Sequence, residues 1–365
     1  MDHQGRRTKI QSVLSQNRLD ALLVSHLPNI HYLCGFTGSA AALLVTENNS
    51  WFFTDGRYTS QAHDEVKGSK VVIAQQPPLL AAAKWVTTNR KGLGRKGAWR
   101  LGIEGEHLSV AARSRLAGAL PSGCQLRQAP QLVEQFRMVK DAEEMDCIRA
   151  AVRLGERLFD RALETIRPGV KEAEVAAEME YAARHAGAKE MSFPTIIAAG
   201  KRSALPHGRA SEARIPARGF VVCDFGVILT GYCSDMTRTV HVGRPAAEAQ
   251  RVYQAVGRAQ QAAIEAVRPG ISVGEVDLAG RKLLQREGLA RYFTHSTGHG
   301  VGLEIHEAPR IAVGQTEILY PGMVVTIEPG VYLPGRWGVR IEDMVVVTER
   351  GCAVLASTSK ELMTL

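Results

Sequence analysis

The chain has 365 residues, of which 45% are hydrophobic and 22% are charged. This length is sufficient for two domains, because single hydrophobic cores stop growing at about 250 to 300 residues. No stretch approaches the roughly 18 apolar residues of a membrane helix, and the N-terminal residues lack the apolar core of a secretory signal. The six cysteines form no C-x-x-C pair and have no disulfide-like density. We therefore predict a cytoplasmic protein with no membrane partner.

The formal net charge of +8 would permit nucleic-acid binding on its own. The densest basic stretch is "NRKGLGRKGAWR" at residues 89–100, and it is rich in glycine. It contains no RNA-binding aromatic signature and no long run of successive basic residues. We interpret it as a solvated loop between a helix and a strand, and we predict no nucleic-acid partner.

The first 130 residues alternate short apolar segments with amphipathic ones. Strands are predicted at residues 21–26, 40–46, 50–55, 70–75 and 100–105. Helices are predicted at residues 58–66, 79–89 and 109–120. Such alternation is typical of an α/β layer domain, which we assign to residues 1–130.

The pattern changes near residue 140, where a second domain, residues 131–365, is predicted. Asp141 followed by Glu144 resembles a capping box with aspartate in place of serine or threonine. A long amphipathic helix should follow, and Pro168 and Gly169 should end it.

The second domain contains an internal repeat. "IRPGVKEAEV" (166–175) is echoed by "VRPGISVGEV" (267–276), and each lies between two helical segments. Each copy then leads into a strand and a return strand. These are 219–226 with 231–240 in the first copy, and 322–330 with 338–347 in the second. Two such copies predict one α+β domain with approximate twofold symmetry rather than a solenoid, which needs at least three repeats.

The repeat places acidic residues at matching points of the two hairpins. Asp224 and Asp235 lie in the first hairpin, and Glu328 and Glu342 lie in the second, all in apolar surroundings. A buried carboxylate without a partner becomes protonated or costs several kcal/mol. Four converging acids would therefore need strong cations, and divalent metal ions are the natural choice. For a single acid pair in one strand, surface salt bridges would be the better interpretation.

The stretch "STGHGVGLEIHEAPR" (296–310) supplies His299 as a fifth ligand. It is too rich in glycine for a helix, and no histidine follows four residues after His306, so it is not an H-E-x-x-H zinc motif. Four carboxylates and one imidazole suit two ions such as Mn²⁺, Co²⁺, Fe²⁺ or Zn²⁺. The glycines would let the backbone approach the metal centre closely.

Five segments, "CDFG", "SDMTRT", "GHGVGLEIHE", "IEPG" and "VRIEDM", together resemble the metal-site segments of the pita-bread metallopeptidases. Within that family the sequence is most similar to the proline-specific branch, which contains Xaa-Pro aminopeptidases and Xaa-Pro dipeptidases. The resemblance covers about residues 135–360, and "DGRYTSQA" (55–62) is similar to the family's additional N-terminal domain. It implies an α/β, creatinase-like N-terminal domain followed by an α+β pita-bread catalytic domain.

The resemblance also implies roles for individual residues. The five metal ligands would be Asp224, Asp235, His299, Glu328 and Glu342, with Asp235 and Glu342 bridging two ions, Mn²⁺ being the first choice. Glu328 would also take a proton from the attacking water. Further family positions would contact the substrate: His207, His306, Arg310, Arg340 and Tyr232. His207 and His306 would act in catalysis, Arg310 and Arg340 would pair with a carboxylate or orient ligands, and Tyr232 could equally be a core residue.

The implied activity is hydrolysis of the bond before proline in short peptides, by attack of a metal-bridging hydroxide, in a homodimer. We favour an Xaa-Pro aminopeptidase, with an Xaa-Pro dipeptidase as the alternative. Creatinase-like enzymes have lost the metal ligands, and methionine aminopeptidases usually lack so large an N-terminal domain. A non-catalytic, peptidase-like binding module is the alternative of another class, and it would be expected to have an eroded metal site.

Overall fold

The computed structural model describes residues 1–89 and 99–365. Most of the basic stretch at 89–100, predicted to be a solvated loop, therefore lies outside the described residues. The chain divides into two compact units, Met1–Arg137 and Met138–Leu365.

In the first unit, the described residues form a mixed sheet covered by helices. The strands are β1 (Ala21–Val24), β2 (Ala42–Thr46), β3 (Ser50–Asp55), β4 (Lys70–Ala74), β5 (Trp99–Glu104) and β6 (Cys124–Ala129). The helices are α1 (His3–Leu14), α2 (Leu27–Cys34), α3 (Thr59–Glu65), α4 (Pro78–Asn89), α5 (Val110–Ala119) and α6 (Leu132–Arg137). The strand order is β4-β3-β2-β1-β5-β6. The strands and helices predicted between residues 21 and 120 are all present.

The central strands of this sheet are buried on both faces, which explains their nearly continuous apolar sequences. β1 and β2 are buried along their whole length. β1 runs antiparallel to β2 and parallel to β5. The helices α1, α2 and α6 and the strand β6 were not predicted.

The second unit contains four helices in two pairs among its described residues. They are α7 (Ala142–Thr165), α8 (Glu172–His185), α9 (Ala247–Ala266) and α10 (Val273–Arg286). The strands are β7 (Glu190–Met191), β8 (Ile196–Ala199), β9 (Gly219–Phe225), β10 (Val227–Leu229), β11 (Tyr232–Cys233), β12 (Met236–Val242), β13 (Gly298–Gly300), β14 (Glu307–Ile311), β15 (Val324–Ile327), β16 (Gly330–Leu333), β17 (Trp337–Arg340), β18 (Asp343–Val347) and β19 (Cys352–Val354).

The predicted capping box begins α7. The Asp141 side chain accepts a hydrogen bond from Glu144 N at 2.9 Å, and the Glu144 side chain accepts one from Asp141 N at 3.0 Å. These bonds satisfy two backbone donors that a helix start leaves without partners. The helix then buries one face against the sheet strands of the first repeat.

Both predicted hairpins form, and both return strands are broken near an acidic residue. β9 pairs antiparallel with β12, and β15 pairs antiparallel with β18. The break between β11 and β12 contains Asp235, and the break between β17 and β18 contains Glu342. An isolated bridge between Thr237 and Glu342 joins the two hairpins. The two repeats therefore meet where their acids lie.

No helix within residues 1–89 and 99–365 is long and hydrophobic enough to span a bilayer.

Candidate metal centre

The five predicted metal ligands lie at strand ends, in strand breaks or on a very short strand. Asp224 is the next-to-last residue of β9, and His299 is the middle residue of the three-residue strand β13. Glu328 directly follows β15. With Asp235 and Glu342 in the two breaks, these positions free most of the side chains from the strict alternation of a continuous strand.

Four of these side chains converge. His299 Nε2 lies 3.6 Å from Asp235 Oδ2 and 3.5 Å from Glu328 Oε1. Asp235, His299 and Glu342 each offer a ligand atom, and the three atoms lie within 4.8 Å of one another. The 3.5–3.6 Å separations exceed a hydrogen bond. They are close to the roughly 3.4 Å between two ligands of a tetrahedral ion with bonds of about 2.1 Å.

Only some of the carboxylate oxygens in this group accept a hydrogen bond from a neighbouring side chain. Thr237 Oγ1 donates to Glu342 Oε2 at 2.6 Å, and Thr326 Oγ1 donates to Glu328 Oε1 at 3.4 Å. Asp235 Oδ1 is buried and accepts no hydrogen bond from any residue in the described ranges. A buried acceptor without a donor costs free energy, so this oxygen is available for a cation.

Burial and mutual repulsion raise the pKa values of the clustered acids. Burial, then the neighbouring charges of Glu342 and Asp224, holds the pKa of Asp235 well above its ordinary range. Burial, then Glu328 and Asp224, does the same for Glu342. Burial raises the pKa of Glu328 to about 7. The charge of Arg340 acts in the opposite direction but leaves these pKa values raised, so further positive charge would favour ionisation of the whole cluster.

His299 presents a neutral ring with one nitrogen directed at the acids. Burial, with a smaller contribution from His306, lowers the pKa of His299 to about 4. Its Nδ1 lies 3.0 Å from the Gly300 carbonyl oxygen, to which it can donate. This assignment leaves the Nε2 lone pair for a metal ion.

The glycines that flank His299 allow β13 to lie close against its neighbours. A Cβ on Gly298 would come within 1.9 Å of the Thr326 carbonyl oxygen. A Cβ on Gly300 would come within 2.2 Å of the Ala308 carbonyl oxygen. The close approach that these glycines allow is therefore between strands, because it lets β13 fit between β14 and β15. The predicted approach of this backbone to the metal centre stays a prediction.

All five ligands line one cavity of about 800 Å³. An apolar part of its wall is formed by Phe193, Pro194, Ile196 and Ile305. Cavities of this size accommodate small molecules and short peptides.

Comparison with known proteins identifies the family. The pattern of Metallopeptidase family M24 matches residues 146–349, and that of the Creatinase/Prolidase N-terminal domain matches residues 6–139. The chain belongs to metallopeptidase family M24. The predicted family, the pita-bread fold with its creatinase-like N-terminal domain, and the metallopeptidase class are confirmed.

Relatives of this M24 peptidase include enzymes named for proline-containing substrates. An Xaa-Pro dipeptidase of Pyrococcus horikoshii is 35% identical, over 97% of each chain. The solved structure of an Xaa-Pro dipeptidase from Bacillus anthracis is 37% identical, covers 100% of each chain and has a TM-score of 0.94. An X-Pro aminopeptidase from Thermotoga maritima is 34% identical, covers 98% of this chain and 99% of its own, and has a TM-score of 0.89.

The residues present fit the divalent metals that the M24 family implies. The donor set consists of carboxylates and one neutral imidazole, and Asp235 Oδ1 is an acceptor without a donor in the described chain. When bound, divalent ions polarise a carbonyl group and acidify a water molecule.

The predicted substrate residues His207, His306 and Arg310 line the same cavity. The His306 ring lies edge-on to that of His299, with 4.4 Å between their centroids. Desolvation and then the neighbouring charge of His207 lower the pKa of His306. The two predicted catalytic histidines are therefore close enough to influence each other.

Arg340 also lines the cavity, but its guanidinium is bound to protein groups. It forms a close ion pair with Asp224, and its other donors reach Thr237 Oγ1 at 3.2 Å, the Pro206 carbonyl oxygen at 3.0 Å and the Tyr332 hydroxyl. Of the two roles predicted for Arg340, these contacts favour orienting a ligand over binding a substrate carboxylate.

The surroundings of Tyr232 favour one of the two roles that the sequence left open. Its ring is buried at 1% exposure, and its hydroxyl donates to Glu144 Oε1 of α7 at 2.9 Å. Tyr232 therefore occupies a core position, the alternative that its sequence context left open.

Several cavity residues were not predicted. His295 Nε2 lies 3.0 Å from the Tyr332 hydroxyl, and burial followed by the charge of Arg340 lowers the pKa of His295 to about 4. Glu307 forms a buried ion pair with Lys140 at 3.3 Å. Glu307 could have been predicted as a cavity residue, because it directly follows His306 in "HEAPR". Its pairing with Lys140 could not, because the two residues are far apart in sequence.

Proposed function

We propose that this M24 peptidase hydrolyses the peptide bond that precedes proline in short peptides, using two divalent metal ions, with Mn²⁺ as the first choice. The convergence of the acids and His299 on one cavity carries this proposal. The proline specificity is supported by the names of the relatives and by the apolar wall, which suits a pyrrolidine ring. A homodimer and a cytoplasmic location remain predictions from the sequence.

Different side chains of this cavity would bind the metals, accept a proton and contact the substrate. Asp224, Asp235, His299, Glu328 and Glu342 would hold the ions. A carboxylate oxygen of Glu328 would accept the proton of the attacking water. An imidazole N–H of His306 would donate to the carbonyl oxygen of the scissile bond as negative charge develops there, and His207 would contact the substrate beside it.

Arg310 favours dipeptides as substrates. It lies on β14 opposite His299, is exposed and lines the cavity. Its guanidinium forms no ion pair with any residue in the described part of the chain. A free proline carboxylate would supply the missing charge, and a bidentate arginine contact would hold it in one orientation. We therefore place the Xaa-Pro dipeptidase first.

The aminopeptidase favoured by the sequence is the second candidate. The similarity to the Thermotoga maritima X-Pro aminopeptidase, which extends over nearly the whole chain, supports it. The binding-module alternative has little support, because it would be expected to lose metal ligands and all five are present and grouped.

Turnover of Ala-Pro and Ala-Pro-Ala by the Mn²⁺-loaded protein, compared with a chelator-treated control, tests the proposal. Hydrolysis of Ala-Pro alone would establish a dipeptidase, and comparable kcat/KM for Ala-Pro-Ala would establish the aminopeptidase. Hydrolysis of neither peptide, or equal rates after chelation, would contradict the function.

A further inference from the structure

Arg209 is a second exposed arginine on the cavity wall, and the proposed function gives it no role. It lines the same cavity as Arg310 but belongs to a different segment, the loop that follows β8. It lies two residues after His207, and its side chain is exposed.

The backbone around Arg209 is fixed on both sides. Its N–H donates to the His207 carbonyl oxygen at 2.9 Å, and its own carbonyl oxygen accepts from Arg202 Nη2 at 2.8 Å. Arg202 is in turn held by the fully buried carboxylate of Glu172, with 2.9 Å between Nε and Oε2. The same carboxylate accepts from the Ala199 N–H at 2.8 Å. This network anchors the start of the Arg209 side chain before any substrate arrives.

In contrast, no residue in the described ranges binds the guanidinium of Arg209. Within residues 1–89 and 99–365 it makes no ion pair. The acid groups of the cavity that could neutralise it already have other partners: Glu307 pairs with Lys140, and Asp224 pairs with Arg340. The remaining acids are those assigned to metal ions. The wall therefore carries two cations, Arg209 and Arg310, that have no ion-pair partner in the part of the chain that the structure describes.

A dipeptide with a neutral first residue has only one carboxylate, and the proposed function assigns that group to Arg310. We propose that Arg209 binds a second carboxylate, the side chain of an acidic residue before proline, so that Glu-Pro and Asp-Pro dipeptides are preferred substrates. This inference rests on the proposed function and specifies its substrate class. The anchored backbone fixes where this side chain starts, and a charge-assisted hydrogen bond to a carboxylate would then hold its guanidinium in place.

The test compares kcat/KM for Glu-Pro, Gln-Pro and Lys-Pro in the Mn²⁺-loaded wild type and in variants. Gln-Pro is the matched neutral substrate. We expect Glu-Pro to exceed Gln-Pro by about tenfold, as for one charge-assisted hydrogen bond in a partly exposed site. Arg209→Gln should bring that ratio close to one, Arg209→Lys should retain part of it, and Arg209→Glu should favour Lys-Pro over Glu-Pro.

Arg218→Gln is the control for net charge, because Arg218 is exposed in the same connection but does not line the cavity. It should leave the ratio of Glu-Pro to Gln-Pro unchanged. An equal fall of the ratio in Arg209→Gln and Arg218→Gln would overturn the proposal, since it would show a long-range charge effect. An unchanged ratio in Arg209→Gln would also overturn it.

The outcomes separate this inference from the function on which it rests. A wild type that hydrolyses Gln-Pro as fast as Glu-Pro contradicts the role of Arg209 and leaves the Xaa-Pro activity intact. A wild type that hydrolyses none of the dipeptides contradicts both. If Arg209→Gln lowers turnover of Ala-Pro-Ala but not the Glu-Pro to Gln-Pro ratio, Arg209 recognises the carboxylate of a third residue, and the proposal is wrong.

Discussion

Each of the two units contains a buried carboxylate, and the two differ in how completely the protein satisfies them. In the first unit, Glu104 Oε2 accepts hydrogen bonds from the N–H groups of Ser25 and His26 at 2.6 and 2.8 Å, and Oε1 accepts from Asn29 Nδ2 at 2.7 Å. In the second unit, Asp235 Oδ1 has no donor among the described residues. The chemistry of the side chains is the same, and only their surroundings differ.

The comparison separates a structural acid from one available to a ligand. Burial raises the pKa of Glu104, while the hydrogen bonds from Asn29, Ser25 and His26 act in the opposite direction. For Asp235, the leading neighbours are other acids, which raise the pKa further. A buried acid surrounded by donors stabilises a fold, whereas buried acids surrounded by one another need a cation.

The largest effect is expected for Asp235→Asn, which removes one proposed metal bridge. Activity on an Xaa-Pro substrate should fall by about a thousandfold or more, because the substitution weakens the attachment of both ions. The metal content measured by mass spectrometry should fall as well. The metal-free variant should be at least as stable to heat as the metal-free wild type, since the substitution replaces an acid whose charged form is unfavourable at this site. Activity within tenfold of wild type would contradict the bridging role.

Removal of the metals should make the stability depend on pH. The raised pKa values of Asp235, Glu342 and Glu328 mean that these three acids bind more protons in the metal-free folded protein than in the unfolded chain. Their contribution to stability should therefore be most favourable below about pH 4, the ordinary carboxyl range, and should fall as the pH rises through about 7, the pKa of Glu328. The lowered pKa values of His295 and His299 act in the opposite direction below about pH 6.5, so the fall should be clearest above that pH. Melting curves recorded by circular dichroism between pH 5 and 8 measure this.

The Mn²⁺-loaded protein is the control for that experiment. Its melting temperature should not show the same fall, and addition of Mn²⁺ at pH 7 should release protons, detectable by calorimetry in buffers of different ionisation enthalpy. Identical pH profiles with and without metal would show that the acids are not a shared cation site.

A smaller effect is expected for Thr237→Val. This substitution removes the 2.6 Å hydrogen bond to Glu342 Oε2 while leaving the carboxylate in place. Metal affinity should fall by about 10- to 100-fold, as for other groups that orient a ligand. Thr239→Val is the matched control, because Thr239 Oγ1 donates to the Arg340 carbonyl oxygen at 2.8 Å and not to a ligand. Equal losses of affinity in the two variants would indicate a general effect on the strand.

Substitution of Glu104, the buried acid of the first unit, should change the stability of the protein and leave its metal content unchanged. Glu104→Gln places an amide donor among donors and should lower the free energy of unfolding by about 2 kcal/mol. Unfolding followed by tryptophan fluorescence suits this measurement, since Trp51, Trp85 and Trp99 lie in the first unit. Glu106→Gln, at an exposed neighbouring position, should change stability by less than about 0.5 kcal/mol. Loss of metal in Glu104→Gln would contradict the distinction between Glu104 as a structural acid and Asp235 as a metal ligand.

Elements of the fold could be predicted where they have a clear local sequence signal. The apolar strands and the capping box at Asp141 and Glu144 have clear local signals, and both were predicted. α1 was missed because it buries two arginines, Arg6 and Arg7, together with only two apolar side chains. The breaks in the return strands also have no local signal, because they result from contacts between the two hairpins.

For the site as for the fold, features with a local sequence signal could be predicted, and contacts between distant residues could not. The acids were predicted because the repeat placed them at matching points, whereas His299 was predicted from the glycine-rich stretch 296–310 and the family resemblance. The pairing of Arg340 with Asp224 joins residues far apart in sequence, and so does the contact of Tyr232 with Glu144. Single-residue patterns do not encode such pairings, so they could not decide between the two roles of Tyr232 or show that Arg209 has no ion-pair partner among the described residues.

The most direct test of the metal centre is an anomalous difference map from crystals of the Mn²⁺-loaded protein. We expect two peaks within coordination distance of the side chains of Asp224, Asp235, His299, Glu328 and Glu342. No peak among these residues, or peaks only at other places on the protein, would contradict the claim that these side chains form one site for two cations.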